Sequence, residues 1–253
     1  QGIAGVALGT VLSQYVGLGL AVFFWFWKYG DLKNKLKIRE SLQWVALKRF
    51  FKINGDIFLR TFCLVLVFTF IPAVSASMGD EVLAVNTLLM QLFMLFSYFM
   101  DGFAYAAEAL SGKFVGARQR GNLELLIRCL LRWGAVLALA CVVIYFFCGQ
   151  RILWLLTDVP SVIEAAVPYL PWAVGVPVCG FMAFLFDGVY IGATATRAMR
   201  NIMVVATALF FALYYSLTYF CGNHGLWGAF AAFLLCRSFI MLYHHKKIVS
   251  LQS

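Results

Sequence analysis

The chain has 253 residues, 63% of them hydrophobic and 12% charged, with a formal net charge of +9 and a mean hydropathy of +0.88. A soluble domain is nearer half apolar and a quarter charged, so this composition excludes an ordinary soluble globule. The positive charge does not point to nucleic acid either, because the basic residues lie between apolar runs rather than on one solvated face.

A membrane-spanning helix needs roughly 20 mostly apolar residues. Runs of that kind occupy about 2–27, 54–77, 82–110, 130–149, 163–190, 201–221 and 225–243. The pattern predicts an all-α membrane protein with seven transmembrane helices, too fully occupied by spans to leave room for a soluble domain. The chain opens on Gln1, and a span begins at once, without the basic leader of a signal peptide. An odd number of spans with an outside start is unusual for a transporter, so the expectation is the back part of a longer protein. In the first span, Gly5 and Gly9 form a Gly-x-x-x-Gly pair that lets another helix approach closely.

Residues 28–52 are the one long polar connection and hold eight Lys and Arg residues. Leu42, Val45, Phe50 and Phe51 alternate there with Lys48, Arg49 and Lys52, which suits an interfacial amphipathic helix within a tether. Residues 53–245 then read as a compact bundle of six spans joined by short loops, and 246–253 as a polar tail. Further bases sit at Lys113, Arg118, Arg120, Arg128 and Arg132, at Arg197 and Arg200, and at Lys246 and Lys247. All these segments fall on one side of the layout, whereas the opposite loops carry Asp80, Glu81, Asp158 and Glu164 with Arg151. Positive charge stays cytoplasmic, which places the C-terminus and the tail in the cytoplasm.

The third span carries Asn86, Ser97, Asp101, Tyr105 and Glu108. Asp101 and Glu108 are about two helical turns apart, Ser97 and Tyr105 flank Asp101 at four-residue steps, and Asn86 returns to the same face. A carboxylate at the bilayer centre costs roughly 2.5–3.5 kcal/mol on insertion scales, so this stripe is expected to face the bundle interior or water. Its acids serve either as structural partners of backbone or Arg, or in proton and ligand handling.

The fifth span holds Pro168, Pro171 and Pro177 with Gly175 and Gly180, which predicts a bend that either lines a cavity or serves packing. Asp187 lies in its other half. The second span carries Asp56 and Arg60 one turn apart, either pairing with each other or freeing Arg60 to reach Asp101 or Asp187. Arg237, mid-span in the last helix, calls for a buried acid that the sequence does not single out. Gly222 and Gly225 mark a turn that splits the final apolar run.

The seven cysteines lie mostly in apolar runs without a Cys-x-x-Cys pair and read as packing residues. The three histidines lack metal-ligand spacing, so neither a metal nor a cofactor is expected. No His-Glu-x-x-His, Gly-x-Ser-x-Gly or phosphate-cradling loop is present, which argues against an enzyme. A non-transporting scaffold would gain little from costly intramembrane charges.

Several stretches resemble a known family. AVNTLLMQL at 84–92 and YFMDGFAYAAEALSGKFVGA at 98–117 look like the eighth helix of the multidrug and toxic compound extrusion (MATE) family, most of all its DinF branch. GDIFLRT at 55–61 resembles the start of the seventh helix, FLFDGVYIGATATRAMRN at 184–201 the tenth, GNHGLWGAF at 222–230 the twelfth, and GIAGVALGTVLSQ at 2–14 the sixth. The resemblance implies a transporter of two six-helix lobes. Residues 1–27 would then belong to the first lobe, 28–52 would connect the lobes, and 53–245 would form the second. It also implies export of cationic or amphiphilic small molecules against an inward ion flux, in a bacterial inner membrane, with membrane lipids and the first lobe as partners. The best-attested coupling acid of the proton-coupled branch lies on the first helix, outside the matched stretches. Where the sodium-coupled branch has an acid on the seventh helix, this sequence offers Arg60, so the resemblance implies proton rather than sodium coupling. The residues expected at the cavity are Asp101, Asp187, Glu108, Arg60, Asn86, Tyr105 and Arg237. The alternative reading is a flippase for a lipid-linked amphiphile, which would line its cavity with many bases, whereas only Arg60 and Arg237 lie within the spans away from the basic connecting segments.

Overall fold

The computed structural model describes residues 2–29 and 44–250. In chain order these form α1 (Gly2–Tyr29), α2 (Trp44–Ser77), α3 (Asp80–Gly116), α4 (Arg120–Leu156), α5 (Pro160–Ala166), a 3-10 turn (Val167–Tyr169), α6 (Leu170–Gly192), α7 (Thr196–Cys221) and α8 (Asn223–Ser250). Among the described residues, seven stretches are long and apolar enough to cross a membrane, with α5, the 3-10 turn and α6 counting together as one. The prolines of the fifth span therefore do more than bend it. Pro168 falls in the 3-10 turn that separates α5 from α6, and Pro171 opens α6, where its missing N–H leaves no helical bond unmade.

Two expectations about span ends need correction. The helix of the fourth span begins at Arg120, well before its apolar edge near residue 130. Its first turns carry Glu124 and Arg128 outward as an exposed pair at 3.6 Å, and bury Leu123, Leu126 and Ile127 in the bundle. Trp44–Lys52 are the first turns of α2 itself, so the described part of the polar connection contains no separate surface helix. The rest of that connection and residues 251–253 lie outside the described residues, and 246–250 continue α8.

The chain divides into two compact units, one ending at Phe51 and the other starting at Lys52. α1 supplies the span of the first. The second unit is the helical bundle, and its packing sets up the site.

Lipid tails are as apolar as Leu, so helices in a bilayer associate by close packing rather than by a hydrophobic drive. α3 and α6 meet through small residues. A Cβ added to Gly188 would lie 2.1 Å from the carbonyl oxygen of Ala104, and one added to Gly192 would lie 2.3 Å from that of Glu108. The Ser111 hydroxyl reinforces the crossing within reach of the Val189 carbonyl, at 3.5 Å. α7 and α8 meet the same way at Gly225, where a Cβ would fall 2.6 Å from the backbone of Leu217. The sequence suggested a turn role for Gly225, but the turn belongs to Gly222, whose φ of 54° sits in the left-handed region.

α2 meets its neighbours differently, through large rings. Phe68 packs on Phe93 of α3 and Phe230 of α8, with ring centroids 5.7 and 6.1 Å apart. Phe70 packs on Phe210, Phe211 and Tyr214 of α7. Rings act as spacers where glycines act as seams. The buried apolar residues form two clusters stacked along the bundle, one around Trp227, Phe230 and Leu92, the other around Phe186, Tyr190 and Met100. Phe184 packs against both.

Candidate functional site

The intramembrane charges gather where the two clusters meet. Ser97 and Asp101 are four residues apart, and Ala104, Tyr105 and Glu108 follow Asp101 by three, four and seven, which puts them on one face of α3. That face, together with Arg60 and Phe68 of α2, Asp187 of α6 and Arg237 of α8, walls a cavity of about 320 Å³. The spacing rings of α2 and the tight α3–α6 seam explain why space remains on this side of α3.

Asp187 is buried and accepts hydrogen bonds on one oxygen, Oδ2, from two guanidiniums. One comes from Nη2 of Arg60, the other from Nη2 of Arg237 at 2.7 Å. Asp187 Oδ1 and the Nε of both arginines have no hydrogen-bond partner among the described residues. Arg237 is 3% exposed, and its guanidinium carbon sits 5.4 Å from the centre of the Phe233 ring. The buried acid that Arg237 required is therefore Asp187, and Arg60 reaches the same acid rather than Asp56.

Asp56 is buried at another level. It accepts from Arg200 Nη1 at 2.5 Å and from Thr196 Oγ1 at 3.2 Å, tying α2 to the start of α7. Sequence reading missed this pair, since its members are 144 residues apart and Arg200 looks like an ordinary loop base.

Asp101 stands apart. It forms no ion pair and no side-chain hydrogen bond among the described residues, yet it borders the cavity within electrostatic reach of Arg60 and Asp187. Glu108 lines the wall half-buried, and Tyr105 stands at the rim, 71% exposed. Six of the seven residues singled out from sequence thus border this one cavity.

Asn86 does not; it borders a second hollow, with its side chain committed elsewhere. Its amide nitrogen donates to Ser75 Oγ at 2.7 Å and to Asn223 Oδ1 at 2.8 Å. Its oxygen accepts from Asn223 Nδ2 at 3.0 Å and from Trp227 Nε1 at 2.8 Å. All its capacity goes into a buried knot joining α2, α3 and α8. Among the described residues, no cluster of three or more His, Cys, Asp or Glu is arranged to hold a metal.

The cavity wall carries three carboxylates and two guanidiniums, together with the rings of Phe68, Phe93, Phe184 and Tyr105. Such a lining suits a cation with apolar surface. The MatE family model matches residues 57–216, the stretch that contains all of these acids and Arg60.

The chain belongs to the MatE family. It is 37% identical over 242 residues to the DNA damage-inducible protein F of Escherichia coli (strain K12), covering 93% of this chain and 51% of that protein. It is 25% identical over 243 residues to Protein DETOXIFICATION 42 of Arabidopsis thaliana, covering 94% of this chain and 45% of that one. A crystal structure of MATE in the bent conformation superposes with a TM-score of 0.78 at 17% identity, covering 99% of this chain and 56% of its own. The Vibrio cholerae MATE transporter VcmN in its bent form gives a TM-score of 0.71 at 19% identity, with coverages of 99% and 57%. The MatE fold thus accounts for the helical order described above. The chain spans about half the length of the curated relatives it matches.

Proposed function

We propose that this chain supplies one helix of the first lobe and the whole second lobe of a secondary active exporter, which moves cationic or amphiphilic small molecules out of the cell against an inward flux of protons. Residues 28–52 connect the lobes in this reading, the other lobe closes the cavity, and the basic segments set the C-terminus on the cytoplasmic side of a bacterial inner membrane.

The observation that carries the reading is the division of labour between the two central acids. Asp187 is already committed to Arg60 and Arg237. Asp101 has no such partner among the described residues and borders the same cavity. An acid of that kind can be neutralised by a proton or by a bound cation. Antiport needs this exclusion, since the proton that enters expels the cation that leaves. Each ligand then biases the two-state equilibrium only by its differential affinity for the inward- and outward-facing forms. Arg60 and Arg237 hold Asp187 as a fixed part of the wall, so exchange at Asp101 does not unbalance the rest of the cluster.

The test is reconstitution of the complete transporter into proteoliposomes with tetraphenylphosphonium as the substrate. An imposed pH gradient should drive movement of the cation, and a sodium gradient of equal size should not. Movement driven by sodium alone, or indifference to both gradients, would overturn the proposal.

A further inference from the structure

A second hollow of about 240 Å³ opens beside α3, walled by Ile71 and Pro72 of α2 and by Asn86, Thr87, Met90, Gln91 and Met94 of α3. It is not isolated from the charged cavity. Phe68 stands in the wall of both. The α3 residues of the two hollows also form one unbroken stripe: Thr87, Met90 and Met94 continue at three- and four-residue steps into Ser97, Asp101, Ala104 and Glu108. One helix face therefore runs from an apolar, methionine-lined end to an acidic end. From Met94 to Asp101 is about 10 Å along the helix and from Met90 about 16 Å, at 1.5 Å per residue.

The chemistry of the two ends differs in a way that fits one elongated ligand. Methionine is unbranched and polarizable, and it adapts to apolar groups of varied shape. The Asn86 amide in this hollow is fully bonded to Ser75, Asn223 and Trp227, so it presents no spare polar group to a ligand, and the exposed Gln91 amide is neutral and adds no charge to this end. We infer that the hollow at Met90 and Met94 is an apolar subsite that takes the hydrocarbon part of an amphiphile whose cationic head is held at Asp101. This rests on the exporter reading above and narrows its substrate class to cations carrying an extended apolar arm, with charge and arm tip separated by roughly the distance along α3.

The test uses alkyltrimethylammonium ions with methyl, butyl, octyl and dodecyl arms, binding to the complete transporter in nanodiscs, with protein-free nanodiscs as the reference for partition into lipid. In the wild type, affinity should rise with arm length, by up to about fourfold per buried methylene, and level off once the hollow is filled. Met90→Trp fills the hollow and should remove the gain from the longer arms while leaving tetramethylammonium binding unchanged. Asp101→Asn should weaken the whole series. If Met90→Trp leaves the arm-length dependence intact, or weakens short and long arms alike, the subsite is refuted while the exporter reading survives. If Asp101→Asn changes nothing, the head-group site fails, and the exporter reading loses its support with it.

Discussion

Asp187 carries two guanidiniums on a single oxygen, and this asymmetry fixes what each substitution does. Asp187→Asn leaves Arg60 and the nearly inaccessible Arg237 facing each other without the carboxylate that both bind. Breaking a buried pair from one side costs about 3–5 kcal/mol. Arg237→Met costs less, because Asp187 keeps Arg60. Thermal unfolding of the complete transporter in detergent should rank the losses with Asp187→Asn the larger. An equal or larger loss for Arg237→Met would mean that the pairing is not what holds this region. At this scale the sequence was informative about which residues matter and silent about their partners. Charges inside apolar spans declare themselves through their insertion cost. The Arg60–Asp187 contact, however, joins residues 127 apart, and nothing local distinguishes it from Arg60–Asp56 at one helical turn. Asn86 shows the complementary error. Helical period placed it on the right face of α3, but period carries no information on depth along the bundle, and its neighbours there are Ser75, Asn223 and Trp227.

The helices are held by two kinds of contact, and the cavity lies between them. Glycine seams bring α3 against α6, while phenylalanine spacers hold α2 away. Gly188→Ala would drive a methyl group into the Ala104 carbonyl oxygen, and overpacking of this kind costs about 1–3 kcal/mol. Gly175→Ala, in the same helix, meets nothing within 4 Å and should be neutral or stabilising by up to about 1 kcal/mol. The same unfolding measurement checks the pair, and equal behaviour of the two variants would argue against a seam at Gly188. Existence and order of the spans were legible because apolar length is a strong signal. Their ends were not, because helices such as α4 continue past the apolar edge as amphipathic turns, with Leu123, Leu126 and Ile127 packed inward among charged neighbours. The prolines marked an irregularity in the fifth span, expected as a bend and found as the break between α5 and α6, whereas the seams were not legible, since a glycine inside an apolar run looks the same whether it faces lipid or another helix.

At the scale of the molecule, MatE membership and the matching fold explain why a bundle of this order exists, and the cavity explains what it can hold. The proposal turns on Asp101 exchanging a proton for a cation. The direct measurement is proton release on adding tetraphenylphosphonium to the detergent-purified complete transporter in weakly buffered solution, followed with a pH-sensitive dye. The wild type should acidify the solution on binding, and Asp101→Asn should release measurably less. Proton release by Asp101→Asn equal to that of the wild type, at matched substrate occupancy, would contradict it.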